Sequence, residues 1–365
     1  MRRLLYLLAF ASFLTACDTG YEECPDDGDC AEPGVLIYAG NQGNFADNNG
    51  TITTYGLVSG DTEQNAVPNL NALVQHLSLH ADRLYVLLNF NDSFSTGRGR
   101  IDVVDPNTNT RIAQVDVSTP RGIAFTGTQC AYVTNLYANT VTPVDFAAGS
   151  TGTPIPVGLN PEGIVAVGGR LYVANFGFGF ATTLSVIDPA TNAVVETREM
   201  DCDGPRTLGV DAEDEVWVFC TGKTVYDNEG NVIERTNGEV VVLDGATGAE
   251  RARLLLTDQI VTASLGQDAL VSRTMGAWAV RADGALLHFD TAANALVGAV
   301  TPELPAGHLI GGIGVLEEER LLLIGAVPPD FISAGRVVLV NTQGQVSRDF
   351  PAGLIPSTFA LGEEQ

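Results

Sequence analysis

Short runs of β-branched and aromatic residues recur along the chain, separated by Gly, Pro, Asn and Asp. The clearest example is PEGIVAVGGRLYVANFGFGFATTLSVIDPATNAVVETRE at residues 161–199. Gly168 and Gly169 suit a two-residue hairpin turn, and residues 188–192 (DPATN) suit a second tight turn. No window in this stretch has the 3.6-residue apolar period of a helix. The pattern predicts a four-stranded antiparallel sheet.

Weaker copies of this unit recur at intervals of roughly 40–54 residues, which is the spacing of propeller blades. Its second strand is predicted at residues 35–41, 84–89, 131–135, 171–175, 215–220, 269–273 and 320–325. Its third strand is predicted at residues 51–57, 99–105, 141–145, 184–188, 239–244, 285–290 and 336–341. First strands precede six of the copies, including one at residues 261–265 for the sixth.

The first copy has no strand before it, and residues 354–361 (LIPSTFAL) have no blade of their own. Joining the two would leave no free edge in the ring. We therefore predict an all-β protein, a seven-bladed β-propeller of four-stranded antiparallel blades at residues 35–365. In this three-plus-one arrangement, the C-terminal strand closes the ring by joining the N-terminal blade.

The hairpins at residues 131–135 (AYVTN) and 171–175 (LYVAN) each follow a Pro-x-Gly and precede a strand ending in Asp. In these features the chain resembles the YVTN-type β-propeller repeat family. The resemblance covers about residues 35–365 and is sharpest over blades two to four. It implies the propeller fold. It narrows function little, since such families include surface-layer and envelope proteins, and neighbouring families include lactonases and quinoprotein dehydrogenases.

The start of the chain predicts export. Two arginines precede an apolar run at residues 4–14 that is too short to span a membrane as a helix. Residues 14–17 (LTAC) match a bacterial lipobox. We predict a lipoprotein signal peptide at residues 1–16, lipidation (palmitate) at Cys17 and an acidic tether at residues 17–34. The protein would then be a membrane-anchored lipoprotein of the bacterial cell envelope, on the periplasmic side or the cell surface, held by its acyl chains alone. An ordinary signal peptide is the alternative.

Charge and cysteine content limit the partners and cofactors. A formal charge of −25 argues against nucleic acid and favours neutral or cationic partners. Export permits disulfides, and the candidate pairs are Cys24-Cys30 in the tether and Cys202-Cys220 beside a predicted hairpin. Cys130 is left over, and we expect it to be buried. No CxxC spacing predicts a zinc site. We expect a monomer.

The connections after the second strands are long, whereas the turns on the opposite face of the disc are short. Insertions gathered on one face usually mark the binding face of a repeat protein. These loops carry the aromatic residues Phe94, Tyr137, Phe176, Phe178, Phe180, Tyr226 and Trp278. An aromatic rim suits a protein, peptide or glycan of the envelope. The alternative is that several of these rings fold back over the blade ends.

Polar residues near the starts of first strands should surround the mouth of the central channel. The candidates for ligand binding are Arg121, Glu162, Arg206, His308 and Ser357. One of the arginines could hold an anionic group through a bidentate contact. The alternative is that these charges pair with one another, as charges in a narrow channel must.

The chain contains no GxSxG, HExxH or phosphate-binding glycine motif, so no catalytic residue, cofactor or metal site is predicted. Acidic loop clusters leave room for a divalent cation such as calcium but lack EF-hand spacing. The sequence favours a non-enzymatic binding or interaction scaffold that acts through its long loops. The alternative is a lactonase-like or other hydrolase, with or without a metal, at the mouth of the channel.

Replacing the lipobox cysteine tests the anchoring prediction. We expect Cys17→Ser to move the protein from the membrane fraction to the soluble fraction, because no other predicted segment holds it in the bilayer. Cell fractionation and palmitate labelling measure this, with Cys130→Ser as the control. Palmitate labelling that persists in Cys17→Ser would contradict the lipoprotein prediction.

Overall fold

Alternating runs of β-formers and turn residues build seven antiparallel blades and one two-stranded sheet in the computed structural model, which describes residues 34–264 and 266–364. Blade 1 takes β1 (Val35–Asn41), β2 (Thr51–Gly56) and β3 (Thr62–Glu63). Blade 2 consists of β4 (Leu73–His80), β5 (Arg83–Asn89), β6 (Arg98–Asp105) and β7 (Thr110–Ser118), with the short helix α1 (Ser93–Thr96) between β5 and β6. Blade 3 consists of β8 (Pro120–Phe125), β9 (Cys130–Asn135), β10 (Thr140–Asp145), β11 (Ser150–Thr151) and β12 (Ile155–Pro156).

The remaining blades follow in chain order. Blade 4 consists of β13 (Pro161–Val167), β14 (Arg170–Asn175), β15 (Thr183–Asp188) and β16 (Ala193–Glu199), with a 3₁₀ turn at Gly177–Gly179. Blade 5 consists of β17 (Pro205–Val210), β18 (Glu215–Cys220), β21 (Glu239–Asp244) and β22 (Glu250–Leu255), and its long loop carries β19 (Thr224–Tyr226) and β20 (Val232–Arg235). Blade 6 consists of β23 (Ala269–Ser272), β24 (Gly276–Val280), β25 (Leu286–Asp290) and β26 (Ala295–Val300). Blade 7 consists of β27 (Leu309–Leu316), β28 (Leu321–Val327), β29 (Arg336–Asn341) and β30 (Val346–Pro351), and the last strand is β31 (Pro356–Glu363).

The last strand closes the ring as predicted. β31 pairs antiparallel with β1, which gives blade 1 the strand order β3-β2-β1-β31. The pairing runs from Val35 opposite Glu363 to Asn41 opposite Pro356. Just beyond β31, the Glu364 carboxylate accepts hydrogen bonds from the backbone N–H groups of Val58 at 2.9 Å and Ser59 at 2.8 Å. The predicted seven-bladed, three-plus-one architecture is confirmed.

The tyrosines of the repeated second strands join neighbouring blades. In blades 1, 3 and 4 the tyrosine hydroxyl donates to a carbonyl in the turn between the third and fourth strands of the next blade. The pairs are Tyr38 with Pro106, Tyr132 with Pro189 and Tyr172 with Gly245, all at 3.1 Å. Burial, with the nearby Asp105 carboxylate, raises the pKa of Tyr38 to about 12. A buried phenol needs such an acceptor, so the motif tyrosine serves architecture.

The asparagines that end the second strands also have structural partners. In blades 1, 3 and 4 this asparagine donates from Nδ2 to two hydroxyls that lie two residues apart on the third strand. The pairs are Asn41 with Thr51 and Thr53, Asn135 with Thr140 and Thr142, and Asn175 with Thr183 and Ser185. A strand places residues i and i+2 on the same face, which is why one amide can reach both hydroxyls.

Blade 6 differs from the sequence prediction. Residues 269–273, predicted as its second strand, contain the innermost strand β23, and β24 is the second strand. The described residues 261–264, predicted as part of the first strand, contain no strand. Trp278 therefore lies on β24 with no exposed surface instead of on the long-loop face, and its ring stacks on His288 at 4.1 Å. The stretch GAWAV at β24 alternates only weakly, so the sequence pattern predicts a loop there. The long connection of blade 6 lies before β23 instead.

Removing the closing strand tests the ring model. Deletion of residues 356–365 should lower the melting temperature strongly, because it exposes one edge of β1 and the faces that pack against β31. Circular dichroism during heating measures the change. Truncation after Gly362 is the matched control, since it keeps most of the β1–β31 pairing. Equal melting of the 356–365 deletion and the full chain would contradict the closure.

Candidate functional site

The site is built where the innermost strands begin. In the described residues, β31, β4, β8, β13, β17, β23 and β27 are each blade's innermost strand and contact one another in this circular order. Six of these strands have a register shift near their start. The residues at these shifts include Gln75, Arg121, Glu162, Arg206, Gly311 and Ser357. A β-bulge re-aims a side chain, and here the side chains of Gln75, Arg121, Glu162 and Arg206 come together at the starts of these strands.

The bulge positions account for four of the five predicted channel residues but not for His308. Arg121, Glu162, Arg206 and Ser357 all occupy bulge positions and are buried. His308 does not, because β27 starts with Leu309 and Ile310 paired to β28 and Gly311 takes the bulge position. His308 lies outside the channel, with Nδ1 3.4 Å from the Ala306 carbonyl oxygen. The prediction placed the channel position just before β27, whereas the bulge lies three residues later, at Gly311.

Arg121 and Glu162 form the centre of a buried ionic group. Arg121 donates from Nε and Nη2 to Glu162 Oε2, both at 3.0 Å, and from Nη1 to the Gln75 side-chain oxygen. Arg206 Nε lies 3.8 Å from the same Glu162 oxygen. On its far side Arg206 donates to the Asp268 carboxylate. We call Gln75, Arg121, Glu162, Arg206 and Asp268 the channel cluster.

The cluster is electrically balanced, because it contains two guanidinium groups and two carboxylates. Arg206 also donates to the Gly266 carbonyl at 3.1 Å, and Thr207 donates to Asp268 at 2.5 Å. Burial alone would lower the pKa of Arg206, but the Asp268 and Glu162 carboxylates raise it above its usual value. The charges pair with one another, so the guanidinium groups already have anionic partners inside the protein.

A cavity of about 120 Å³ adjoins this cluster, and Gln75, His76, Arg121, Glu162, Arg206 and Gln267 are among its lining residues. Burial, together with the positive charge of Arg121, lowers the pKa of His76 to about 4, so its imidazole is neutral at physiological pH. Glu162 Oε1 and Arg206 Nε are buried and have no hydrogen-bond partner among the described residues. The cavity can hold a few water molecules or one small polar molecule.

Four of the predicted loop aromatics come together on the long-loop face, the side where the second strands end. The ring centroid of Phe94 lies 5.2 Å from that of Tyr137, Tyr137 lies 6.3 Å from Phe178, and Phe178 lies 6.0 Å from Phe176. These residues belong to blades 2, 3 and 4. Phe94 is 74% exposed and Phe178 is 44% exposed, whereas Phe176 is buried. We call this set the aromatic row.

A groove of about 710 Å³ continues from the aromatic row toward blade 5. Phe176, Phe178 and Phe180 contribute to its lining from blade 4, and Tyr226 does so from β19. Phe180 and Tyr226 are 58% and 60% exposed. Arg206 also lines the groove, with its guanidinium carbon 5.4 Å from the Phe176 ring centroid. The groove and the channel cluster therefore share one residue.

Several site features were not predicted. The strands β19 and β20 form a two-stranded ribbon within residues 221–238, which the sequence pattern predicted as a loop. Asp268 was missed because the strands of blade 6 were misassigned, and Gln75 because no motif marks its bulge. Cys202 and Cys220 form the predicted disulfide at the base of the ribbon loop. Cys130 is exposed, not buried as expected.

The predicted signal peptide at residues 1–16, the lipidation of Cys17, the Cys24-Cys30 disulfide and the acidic tether up to residue 33 lie outside the described residues and stay predictions. Within residues 34–264 and 266–364, no group of three or more His, Cys, Asp or Glu side chains is placed to hold a metal ion. In that same part of the chain, no helix is long and apolar enough to cross a membrane.

Comparison with known proteins supports the fold. The chain matches no protein-family model and no curated protein sequence. It is similar to a solved quinonprotein alcohol dehydrogenase-like protein from Bacteroides thetaiotaomicron, with 13% identity, a TM-score of 0.62 and coverage of 90% of this chain and 77% of the other. It is also similar to the periplasmic gluconolactonase of Pseudomonas aeruginosa, with 16% identity, a TM-score of 0.61 and coverage of 91% and 99%.

A third similar structure is the hydrazine synthase of Kuenenia stuttgartiensis, with 17% identity, a TM-score of 0.58 and coverage of 83% of this chain and 92% of the other. At these identities the likeness shows the fold alone. The class of protein is therefore a seven-bladed β-propeller. The likeness to YVTN-type repeats remains a resemblance of motifs.

The channel cluster should contribute to stability through its charge balance. Glu162→Gln leaves Arg121 and Arg206 without their shared carboxylate, and loss of one partner of a buried ion pair costs about 3–5 kcal/mol. Urea unfolding measures the free energy of unfolding. Glu196→Gln, at an exposed glutamate of the same blade, is the control and should change it by less than about 0.5 kcal/mol. Equal stabilities of the two variants would refute the structural role of the cluster.

Proposed function

We propose that this β-propeller is a non-enzymatic binding scaffold that contacts a protein, peptide or glycan through its long-loop face. The observation that carries the proposal is the aromatic row, which joins three successive blades and continues into the groove beside blade 5. Exposed aromatic rings supply large contact areas at low conformational cost, and they are enriched among residues that dominate binding energy.

The charge of the chain limits the partner further. With a formal charge of −25, the protein repels phosphate backbones and attracts neutral or cationic partners. The lipobox at residues 14–17 supports export and anchoring by acyl chains at Cys17. Such an anchor would present the propeller at the envelope as a monomer on an acidic tether. No cofactor is part of this proposal.

Site-specific photocrosslinking in cells that express the full chain tests this function. Benzoylphenylalanine in place of Phe94 or Phe178 should give crosslinked products, because a bound partner covers these rings. The benzophenone reacts with C–H bonds, so it reports proteins, peptides and glycans. Products are detected by their altered mobility on gels probed for this protein, and we expect at least a fivefold excess over the control position.

The control carries the same group in place of Val297, which is 61% exposed on the outer strand of blade 6. Its exposure is similar to that of the aromatic positions, but it lies away from the long-loop face. Equal yields of crosslinked product at all three positions, or none at any, would refute binding through this face.

The second candidate function is hydrolysis of a lactone at the channel. One observation favours it: the cavity beside the channel cluster contains the neutral imidazole of His76 and the carboxylate of Glu162. A gluconolactonase with 16% identity has the same overall fold, which adds only that the fold is compatible. Gluconolactone hydrolysis above the spontaneous rate that disappears in Glu162→Gln, while circular dichroism shows this variant still folded, would favour this candidate. A rate equal to the spontaneous one favours the scaffold.

A further inference from the structure

The ribbon of blade 5 has one strand edge that no other strand of the described chain covers. β19 pairs antiparallel with β20 and with no other described strand. The Thr236 N–H donates to the Lys223 carbonyl at 3.0 Å, and the Asp227 N–H donates to the Asn231 carbonyl at 2.9 Å. Positions that face the partner strand alternate in an antiparallel pair. The backbone groups of Thr224 and Tyr226 therefore point away from β20.

This uncovered edge belongs to the groove. All three residues of β19 line the groove, whereas no residue of β20 does. The rings of Phe176, Phe178 and Phe180 line the same groove. The volume of about 710 Å³ is that of a typical ligand site. Backbone donors and acceptors and an apolar wall of aromatic rings thus line the same groove.

An extended peptide satisfies both walls. Its backbone can continue the ladder of β19 with N–H and C=O groups, and every second side chain would then point toward the aromatic wall. A glycan would leave the amide pattern of Thr224 and Tyr226 without matched partners at strand spacing. The charge of −25 favours a peptide with basic residues at the alternate, outward positions.

We propose that the groove binds an extended peptide as a third strand on β19, with apolar side chains against Phe176, Phe178 and Phe180 and basic side chains facing outward. This inference rests on the proposed binding function and specifies its ligand class and binding mode. The disulfide between Cys202 and Cys220 lies directly before Thr221 and Gly222, which also line the groove, and so fixes this wall to the blade.

A pair of substitutions at one position isolates the strand edge. Thr224→Pro removes the N–H that points into the groove and leaves the bonds between β19 and β20 in place, because proline is tolerated at an edge position. Thr224→Val keeps this N–H and loses the same hydroxyl contact with Gln259. Both variants should melt at the same temperature as each other, which shows that any difference in binding comes from the backbone donor.

The probe is a phage-displayed library of random dodecapeptides, panned on the full-length protein in detergent micelles. We expect enriched peptides that alternate apolar and basic residues. Synthetic copies should bind Thr224→Pro at least tenfold more weakly than Thr224→Val by fluorescence anisotropy. N-methylation of alternate peptide amides should weaken binding at least tenfold, and methylation of the intervening amides should not, because only every second amide faces β19.

The other outcomes contradict the inference in distinguishable ways. If enriched peptides bind both Thr224 variants equally and lose binding in Phe94→Ala, the long-loop face binds peptides but not as a strand. If no peptide is enriched while photocrosslinks form at Phe94 and Phe178, face binding stands and the peptide is wrong. If the free protein is a dimer in sedimentation that Thr224→Pro dissociates, a second copy occupies the edge instead. Absence of both peptides and crosslinks would remove the proposed function as well.

Discussion

Ring closure by the β1–β31 pairing is the constraint on which the remaining structure depends. Each blade is a thin sheet that must cover both faces with its neighbours, and no single blade has a core of its own. The core clusters accordingly combine residues of adjacent blades, such as those joining Trp217 of blade 5 to Phe289 of blade 6. Every blade in the ring is covered on both faces only if the first and last blades also contact each other. The C-terminal strand does this by completing the N-terminal sheet.

Closure also defines the channel and hence the place of the charges. The bulges at the start of the innermost strands direct polar side chains to a common axis, where solvent is scarce and isolated charge is costly. Arg121, Glu162 and Arg206 meet this cost by sharing contacts across blades 3, 4 and 5. Arg206 reaches outward as well, under the ring of Phe176 at the base of the groove. The buried charges of the channel cluster and the candidate binding groove are therefore connected through Arg206.

The aromatic side chains fall into two groups, those on the repeated strands and those in the loop insertions. Tyr38, Tyr132 and Tyr172 lie on strands, and their hydroxyls join successive blades. Phe94 and Phe178 lie in insertions after the second strands, where the ladder imposes no inward direction. They remain exposed, and both contact the ring of Tyr137 in blade 3, which lies between them. This difference supports the proposal that the insertions bind a partner, whereas the repeated strands hold the blades together.

The sequence by itself determined the blade count, the closure and the face on which long loops gather, because these follow from the period of strands and turns along the chain. It also predicted that Arg121, Glu162 and Arg206 lie at the channel, since each follows a proline that marks a strand start. It did not determine blade 6, where weak alternation left Trp278 in a predicted loop. Only the tertiary structure decided the pairing within the channel cluster, the role of Asp268 and the open edge of β19. These depend on distances between segments far apart in sequence, which a local pattern does not encode.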